Sequence, residues 1–195
     1  MRSNNIDIAG MQTLNERYGG KNIGRNREML QLIEPLYHAY IQNFKTNNGI
    51  DFPGMIVDAI SCVNNGSYRH PYKYVLIDEY QDMSRPRYEL IRALRLQHDF
   101  SLFCVGDDWQ SIYRFAGSDI HLILDFDRIW RAWGPTFMFQ ITTTRRFRQS
   151  LIDASGAFVM RDTNLYVKHL NNPSDKKDYS LKALGGHTEE ERFNV

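Results

Sequence analysis

Five consecutive residues, Asp78-Glu79-Tyr80-Gln81-Asp82, follow directly on Tyr74-Val75-Leu76-Ile77, an apolar run too short for a helix. Such a run reads as a buried strand of a parallel sheet. In sheets of that kind ligands bind beyond the carboxyl ends of the strands. Two adjacent carboxylates at that edge point in different directions and can divide the work of a phosphoryl transfer. One can serve a divalent magnesium ion, which keeps most of its waters and needs few protein ligands. The other can face and activate a water. By residue type alone the pair is equally readable as a solvated acidic turn.

A second apolar run, Phe100 to Val105, leads into Gly106-Asp107-Asp108-Trp109-Gln110-Ser111-Ile112-Tyr113-Arg114-Phe115-Ala116-Gly117. A glycine at a strand end permits a sharp turn. Gln110 offers a neutral amide that both donates and accepts, suited to a phosphate or a polarised water. Tyr113 and Phe115 flank Arg114, giving flat surfaces and a cation. That combination binds single-stranded nucleic acid with little sequence preference, at ~1–3 kcal/mol per stacked base. Aromatics at this spacing are otherwise core side chains. A third cluster, Thr142-Thr143-Thr144-Arg145-Arg146-Phe147-Arg148, follows the apolar stretch Phe137 to Ile141. Guanidinium groups clamp phosphoryl oxygens with paired bonds, although Arg145 and Arg148 read as solvated surface charges.

Taken in order, these strings resemble motifs II, III and IV of UvrD/Rep-type superfamily 1 DNA helicases. Motif II is commonly Asp-Glu-x-Gln-Asp, and motif III Gly-Asp-x-x-Gln-Ser-Ile-Tyr-x-aromatic. The form Val-Gly-Asp-Asp-Trp-Gln and the Thr-Thr-x-Arg-Phe stretch are similar to the helicase IV branch of that family. The resemblance extends from about Leu36 to Met160, with Asn48, Asp51, Phe52 and Ile56 fitting a segment ahead of motif II. It implies an ATP- and Mg2+-dependent motor that moves along single-stranded DNA and opens duplex junctions. In that reading Asp78 binds magnesium, Glu79 activates water, and Gln110 and Arg146 contact the terminal phosphate. Tyr113, Phe115 and Arg114 lie on the DNA, and Asp82 organises the site by hydrogen bonding. Three departures bear on it: Phe115 stands where tryptophan is common, Ala116 where arginine is common, and Arg145 where tyrosine is usual.

The family's phosphate-binding loop, Gly-x-x-x-x-Gly-Lys-Ser/Thr, does not occur in these 195 residues. Gly19-Gly20-Lys21 imitates its end, but Asn22 follows where a hydroxyl should be and no strand precedes it, so it reads as a turn. The expectation is therefore a helicase fragment that completes its ATP site with further domains of a longer protein. The alternative is a catalytically inactive, truncated homologue that binds single-stranded DNA or a protein.

The elements that must position these residues come from periodicity. Leu30, Ile33, Leu36, Tyr37, Tyr40, Ile41 and Phe44 recur at helical spacing, and Phe52 to Val63 marks a shorter helix. Ser84 and Pro86 open a helix bearing Tyr88, Ile91 and Leu94. Ser118 or Asp119 opens another that carries Ile120, Ile123, Leu124, Trp130 and Trp133. Phe137 to Ile141 reads as a third strand, and Gln149 to Met160 as a final helix. The fold class expected is α/β, a parallel sheet with flanking helices forming part of a RecA-like motor domain. By segment it comprises a polar, loosely structured lead-in at 1–25, helices at 26–66, the motor portion at 67–148, and the start of a second motor domain or a tail at 149–195.

Composition bounds the rest. The chain is 42% hydrophobic and 24% charged, with a formal net charge of +1. That is globular, without the global basic excess of many nucleic-acid binders, so DNA contact must be local. Cys62 and Cys104 lie in apolar stretches and read as buried thiols of a cytoplasmic protein. No apolar run approaches the ~18 residues of a membrane span.

Overall fold

The computed structural model describes residues 6–173, which fall into two compact units that divide between Ile129 and Trp130.

The first unit begins with helix, not with a loose lead-in. Helix α1 (Ile8–Tyr18) is capped by Asp7, whose Oδ1 accepts from the Gly10 amide at 2.8 Å. A 3-10 turn over Gly20–Asn22 joins it to α2 (Ile23–Thr46). The buried Asn15 staples the two helices: its Nδ2 donates to the Ile23 carbonyl and its Oδ1 accepts from Asn26 Nδ2, each at 2.9 Å. Any side chain at Gly19 would collide with Asn15. Gly19-Gly20-Lys21 is thus a turn between helices, as expected, and no strand feeds it. Composition suggested a coil because α1 is polar on most of its surface; the Asp7 cap and the Asn15 staple supply what its thin apolar stripe does not.

Helix α2 packs along Leu30, Ile33, Tyr37, Ile41 and Phe44, whereas Leu36 and Tyr40 fall on its exposed flank. Tyr40 Oη donates to Asp51 Oδ2 at 2.9 Å, and Asp51 Oδ1 caps α3 (Phe52–Asn64) through the Gly54 amide at 2.8 Å. Helix α3 packs on α4 (Arg85–Gln97). Pro86 lies in the first turn of α4 as anticipated, but the Ser84 side chain makes no capping bond; its carbonyl accepts from Tyr88 N instead.

Strands β1 (Tyr74–Ile77) and β2 (Ser101–Cys104) pair in parallel with α4 between them in sequence, Tyr74 opposite Ser101 and Ile77 opposite Cys104. This is the βαβ order that the alternating pattern predicts. The strands are not buried on both faces, however. Tyr74, Leu76 and Phe103 are exposed, Leu76 at 73%, while Ile77 and Cys104 turn inward. With two strands, one sheet face is packed and the other is bare among the described residues.

The core on the packed face is built from Tyr80, Met83 and Leu122, with Ile77, Tyr88, Cys104, Ile123 and Phe126 around them. Tyr80 meets Phe126 edge to face at 5.5 Å. Leu122 and Ile123 belong to α5 (His121–Leu124), which is followed by α6 (Phe126–Trp130) and a turn at Arg131–Trp133. One continuous helix was expected here. Instead the chain breaks at Asp125, whose carboxylate takes Arg128 at 2.5 Å. Cys62 is exposed, contrary to the buried thiol expected, because α3 turns Val63 rather than its neighbour inward. Both cysteines are free, and burial pushes the Cys104 thiol up to about 12.

In the second unit the expected third strand is absent. Phe137 to Ile141 has no strand partner, and Phe139 is 88% exposed. A hydrophobic run becomes a strand only where a neighbour completes its backbone bonds. Helix α7 (Gln149–Val159) forms as anticipated. No helix among the described residues is long and apolar enough to cross a membrane.

Candidate functional site

The acidic string gains its geometry from the residue in its middle. Tyr80 is 1% exposed and plugs the core, and its amide donates to the Val105 carbonyl at 2.9 Å. Holding Tyr80 inside forces Asp78 and Glu79 to the surface just past the end of β1. The turn requires Glu79 to adopt φ 50°, ψ 44°, a left-handed conformation that costs a non-glycine residue roughly 1 kcal/mol or more. Asp78 Oδ1 accepts the Glu79 amide at 2.9 Å, which orients its carboxylate.

The segment after β2 is tied to this turn. Asp107 Oδ2 accepts from Gln110 Nε2 at 2.7 Å, and Asp107 Oδ1 accepts from the Trp109 amide at 3.1 Å. Between the two strand ends sits Gln81. Its Nε2 donates to Glu79 Oε2 at 2.7 Å, and its Oε1 accepts from the Asp107 amide at 2.9 Å. Glu79 and Gln110, predicted to share one edge, are therefore joined by side-chain bonds. Reasoning from residue types passed over Gln81, and also the buried Asp108. The signal for Gln81 was available: an amide two residues past a surface glutamate at the end of a buried strand. Asp82, expected to organise the site by hydrogen bonding, has its Oδ1 buried without a hydrogen-bond partner, while Gln81 beside it makes the bonds that join the two strand ends.

Beyond Gln110 the chain turns outward. Phe115 is 87% exposed, Tyr113 is about half exposed, and their rings lie 5.9 Å apart. Arg114 between them is also exposed. None of the three is core, which removes the alternative that spacing left open. Tyr113 lines a cleft of about 310 Å³ together with Phe52, Pro53, Asp82, Pro86 and Ser118. Phe52, at 86% exposed, adds an aromatic surface at the start of α3. Ser118 Oγ, like Asp82 Oδ1, is buried and unpaired here.

The described residues hold no cluster of three or more metal-ligating side chains. Asp78 offers a single exposed carboxylate just past the end of β1.

The basic cluster belongs to the second unit. There Asn171 receives it: the Thr144 amide donates to the Asn171 carbonyl and the Asn171 amide donates to the Thr142 carbonyl, both at 2.9 Å. Asn172 Nδ2 donates to the Phe147 carbonyl at 2.7 Å. These bonds present Arg145, Arg146 and Arg148 at the surface, with the Arg146 amide on Thr144 Oγ1 at 3.3 Å. Arg146 is thus on an exposed turn of the second unit.

Residues 4–130 match the profile of the UvrD/REP helicase N-terminal domain, reaching further toward the N-terminus than the motif resemblance did. DNA helicase IV of Escherichia coli is 36% identical over 155 residues, covering 78% of this chain and 22% of that protein. ATP-dependent DNA helicase PcrA of Staphylococcus aureus is 26% identical over 168 residues, covering 83% of this chain and 22% of its own. The PcrA of Staphylococcus epidermidis is 27% identical over 158 residues. The chain spans about a fifth of the length of the curated relatives it matches.

Proposed function

The chain belongs to the UvrD/REP helicase family, and from that premise we propose that it supplies the water-activating edge and part of the DNA track of an ATP-driven motor. The activity proposed for the protein that carries it is ATP hydrolysis coupled to movement along single-stranded DNA and opening of duplex junctions. The observation that carries this reading is the bonded connection between Glu79 and Gln110 at the ends of paired parallel strands, followed within five residues by exposed Tyr113 and Phe115.

Glu79 then takes the proton of, or orients, the attacking water. Asp78 holds magnesium, which when bound neutralises developing charge on the phosphates. Gln110 Nε2 carries two hydrogens; Asp107 takes one, and the other reaches a phosphate oxygen. Arg146 is the guanidinium proposed to contact the terminal phosphate. Tyr113 and Phe115 stack bases, the cleft beside Tyr113 admits one, and Arg114 follows the backbone. By segment, we propose 67–148 as the motor portion, 26–66 as the helical segment leading into it, and 149–195 as the start of a second motor domain or a tail.

A second reading is a module that binds single-stranded DNA or a protein without hydrolysis. The two part in one experiment. ATP turnover by the gene product carrying this chain is measured with and without oligo(dT), alongside the Glu79→Gln variant. The motor reading expects oligo(dT) to stimulate turnover, and Glu79→Gln to bind nucleotide while turnover falls by orders of magnitude. Turnover indifferent to both removes Glu79 from the chemistry; oligo(dT) binding without any turnover establishes the binding module.

A further inference from the structure

We infer that Gln81 is a positioning residue that locks the Glu79 carboxylate to the Gly106–Gln110 turn, so that the two strand ends move as one body. The functional consequence rests on the motor reading above; the bridge itself stands on geometry. Gln81 is 2% exposed, yet its amide faces two different strand ends. The Asp107 amide can only donate, so the atom 2.9 Å from it must be Oε1, and Nε2 is thereby turned toward Glu79 Oε2. A flipped amide would set N–H against N–H on one side and oxygen against carboxylate on the other.

Two further contacts mould the second turn onto the same residue. Ser111 Oγ donates to the Gln81 carbonyl at 3.5 Å. A Cβ on Gly106 would stand 2.9 Å from Gln81 Oε1 and 3.1 Å from its backbone nitrogen, so the turn approaches as closely as a glycine allows. Asp107 in turn holds Gln110. A chain of bonds thus runs Glu79–Gln81–Asp107–Gln110, none longer than 2.9 Å.

The choice of an amide has a chemical reason. A lysine or arginine in this place would orient Glu79 but also stabilise its anion and weaken it as a base. A neutral donor aims one carboxylate oxygen and leaves the other for water. Any shift of the turn bearing Tyr113 and Phe115 is carried through Gln81 to the aim of Glu79.

The first test uses the chain as it stands. In hydrogen-exchange NMR the Gln81 side-chain amide and the Asp107 backbone amide should exchange at least ~10-fold more slowly than the exposed side-chain amide of Gln31; equal rates refute the bridge. The second uses Gln81→Glu and Gln81→Leu. Gln81→Glu keeps the acceptor for Asp107 but turns a like charge to Glu79, whereas Gln81→Leu loses both arms. Asp107 protection should survive in Gln81→Glu and vanish in Gln81→Leu. In the gene product carrying this chain, both should lower DNA-stimulated kcat by ~10²-fold, the loss expected for a catalytic group displaced by about 1 Å, with KM for ATP within about twofold. A Gln81→Glu protein that keeps wild-type kcat, or loses only KM, reduces Gln81 to packing. If the wild-type protein turns over no ATP, the motor reading fails, and the exchange rates still decide whether the bridge exists.

Discussion

Replacing Gly106 by alanine asks whether the two strand ends are as closely fitted as the hydrogen bonds imply. Its backbone is not left-handed, so alanine incurs no conformational penalty and asks only for space. That space is missing: the new methyl would lie 2.9 Å from Gln81 Oε1, 3.1 Å from Gln81 N and 3.1 Å from Ile123 Cδ1. The Ile123 methyl can swing aside. Gln81 N cannot, because the adjacent Tyr80 amide is bonded to Val105 and its ring is locked in the core. Gln81 Oε1 must then withdraw from the Asp107 amide. Overpacking costs about 1–3 kcal/mol, and stranding a buried hydrogen-bonding group costs about 1–3 kcal/mol more. A total of roughly 2–6 kcal/mol lowers the melting temperature by about 4–24 °C in a chain of this size. The assay is thermal and urea unfolding followed by tryptophan fluorescence. Gly66→Ala is the control, since Gly66 has φ +77° and nothing within 4 Å, leaving only about 1 kcal/mol of backbone strain. A Gly106→Ala protein that melts within about a degree of wild type would show that the Gln81 bridge is looser than drawn.

Glu79→Gly should abolish turnover, and in urea unfolding the roughly 1 kcal/mol gained by relieving the left-handed backbone should be offset by the stranding of the buried Gln81 amide, at about 1–3 kcal/mol; a clear net gain in stability would contradict the Gln81 bridge. Phe115→Ala should change stability by less than about 0.5 kcal/mol, because the ring is exposed. It should weaken oligo(dT) affinity by ~1–3 kcal/mol in fluorescence anisotropy, and unchanged affinity would take Phe115 off the track. Cys104 ionises near 12 when folded against an ordinary 9.0, so between those values the unfolded state holds fewer protons and stability should fall as pH rises. The urea midpoint of Cys104→Val should lack that component of the slope; parallel pH profiles for the two proteins would refute it. Under native conditions an alkylating reagent should take Cys62 first, as a mass map of the labelled sites would show.

Local pattern was enough to locate the chemistry. An apolar run followed by Asp78-Glu79, and another followed by Gly106 to Phe115, can be read as strand ends because burial demands apolar continuity and a parallel sheet puts ligands at its carboxyl edge. Helices α2, α3, α4 and α7 were legible for the same reason, each carrying an apolar stripe at helical spacing. Where pattern failed, a long-range partner decided. Phe137 to Ile141 has the composition of a strand and forms none without a neighbour. Helix α1 looked like coil until Asn15 met Ile23 and Asn26. Gln81 drew no notice because its meaning lies in Asp107, 26 residues away in the chain and 2.9 Å away in space. Propensity and periodicity are properties of neighbours along the chain, whereas hydrogen-bond satisfaction in a buried site is settled only when distant segments pack. The residue types and their order pointed to a helicase family; the fold alone determined which of them hold one another in place.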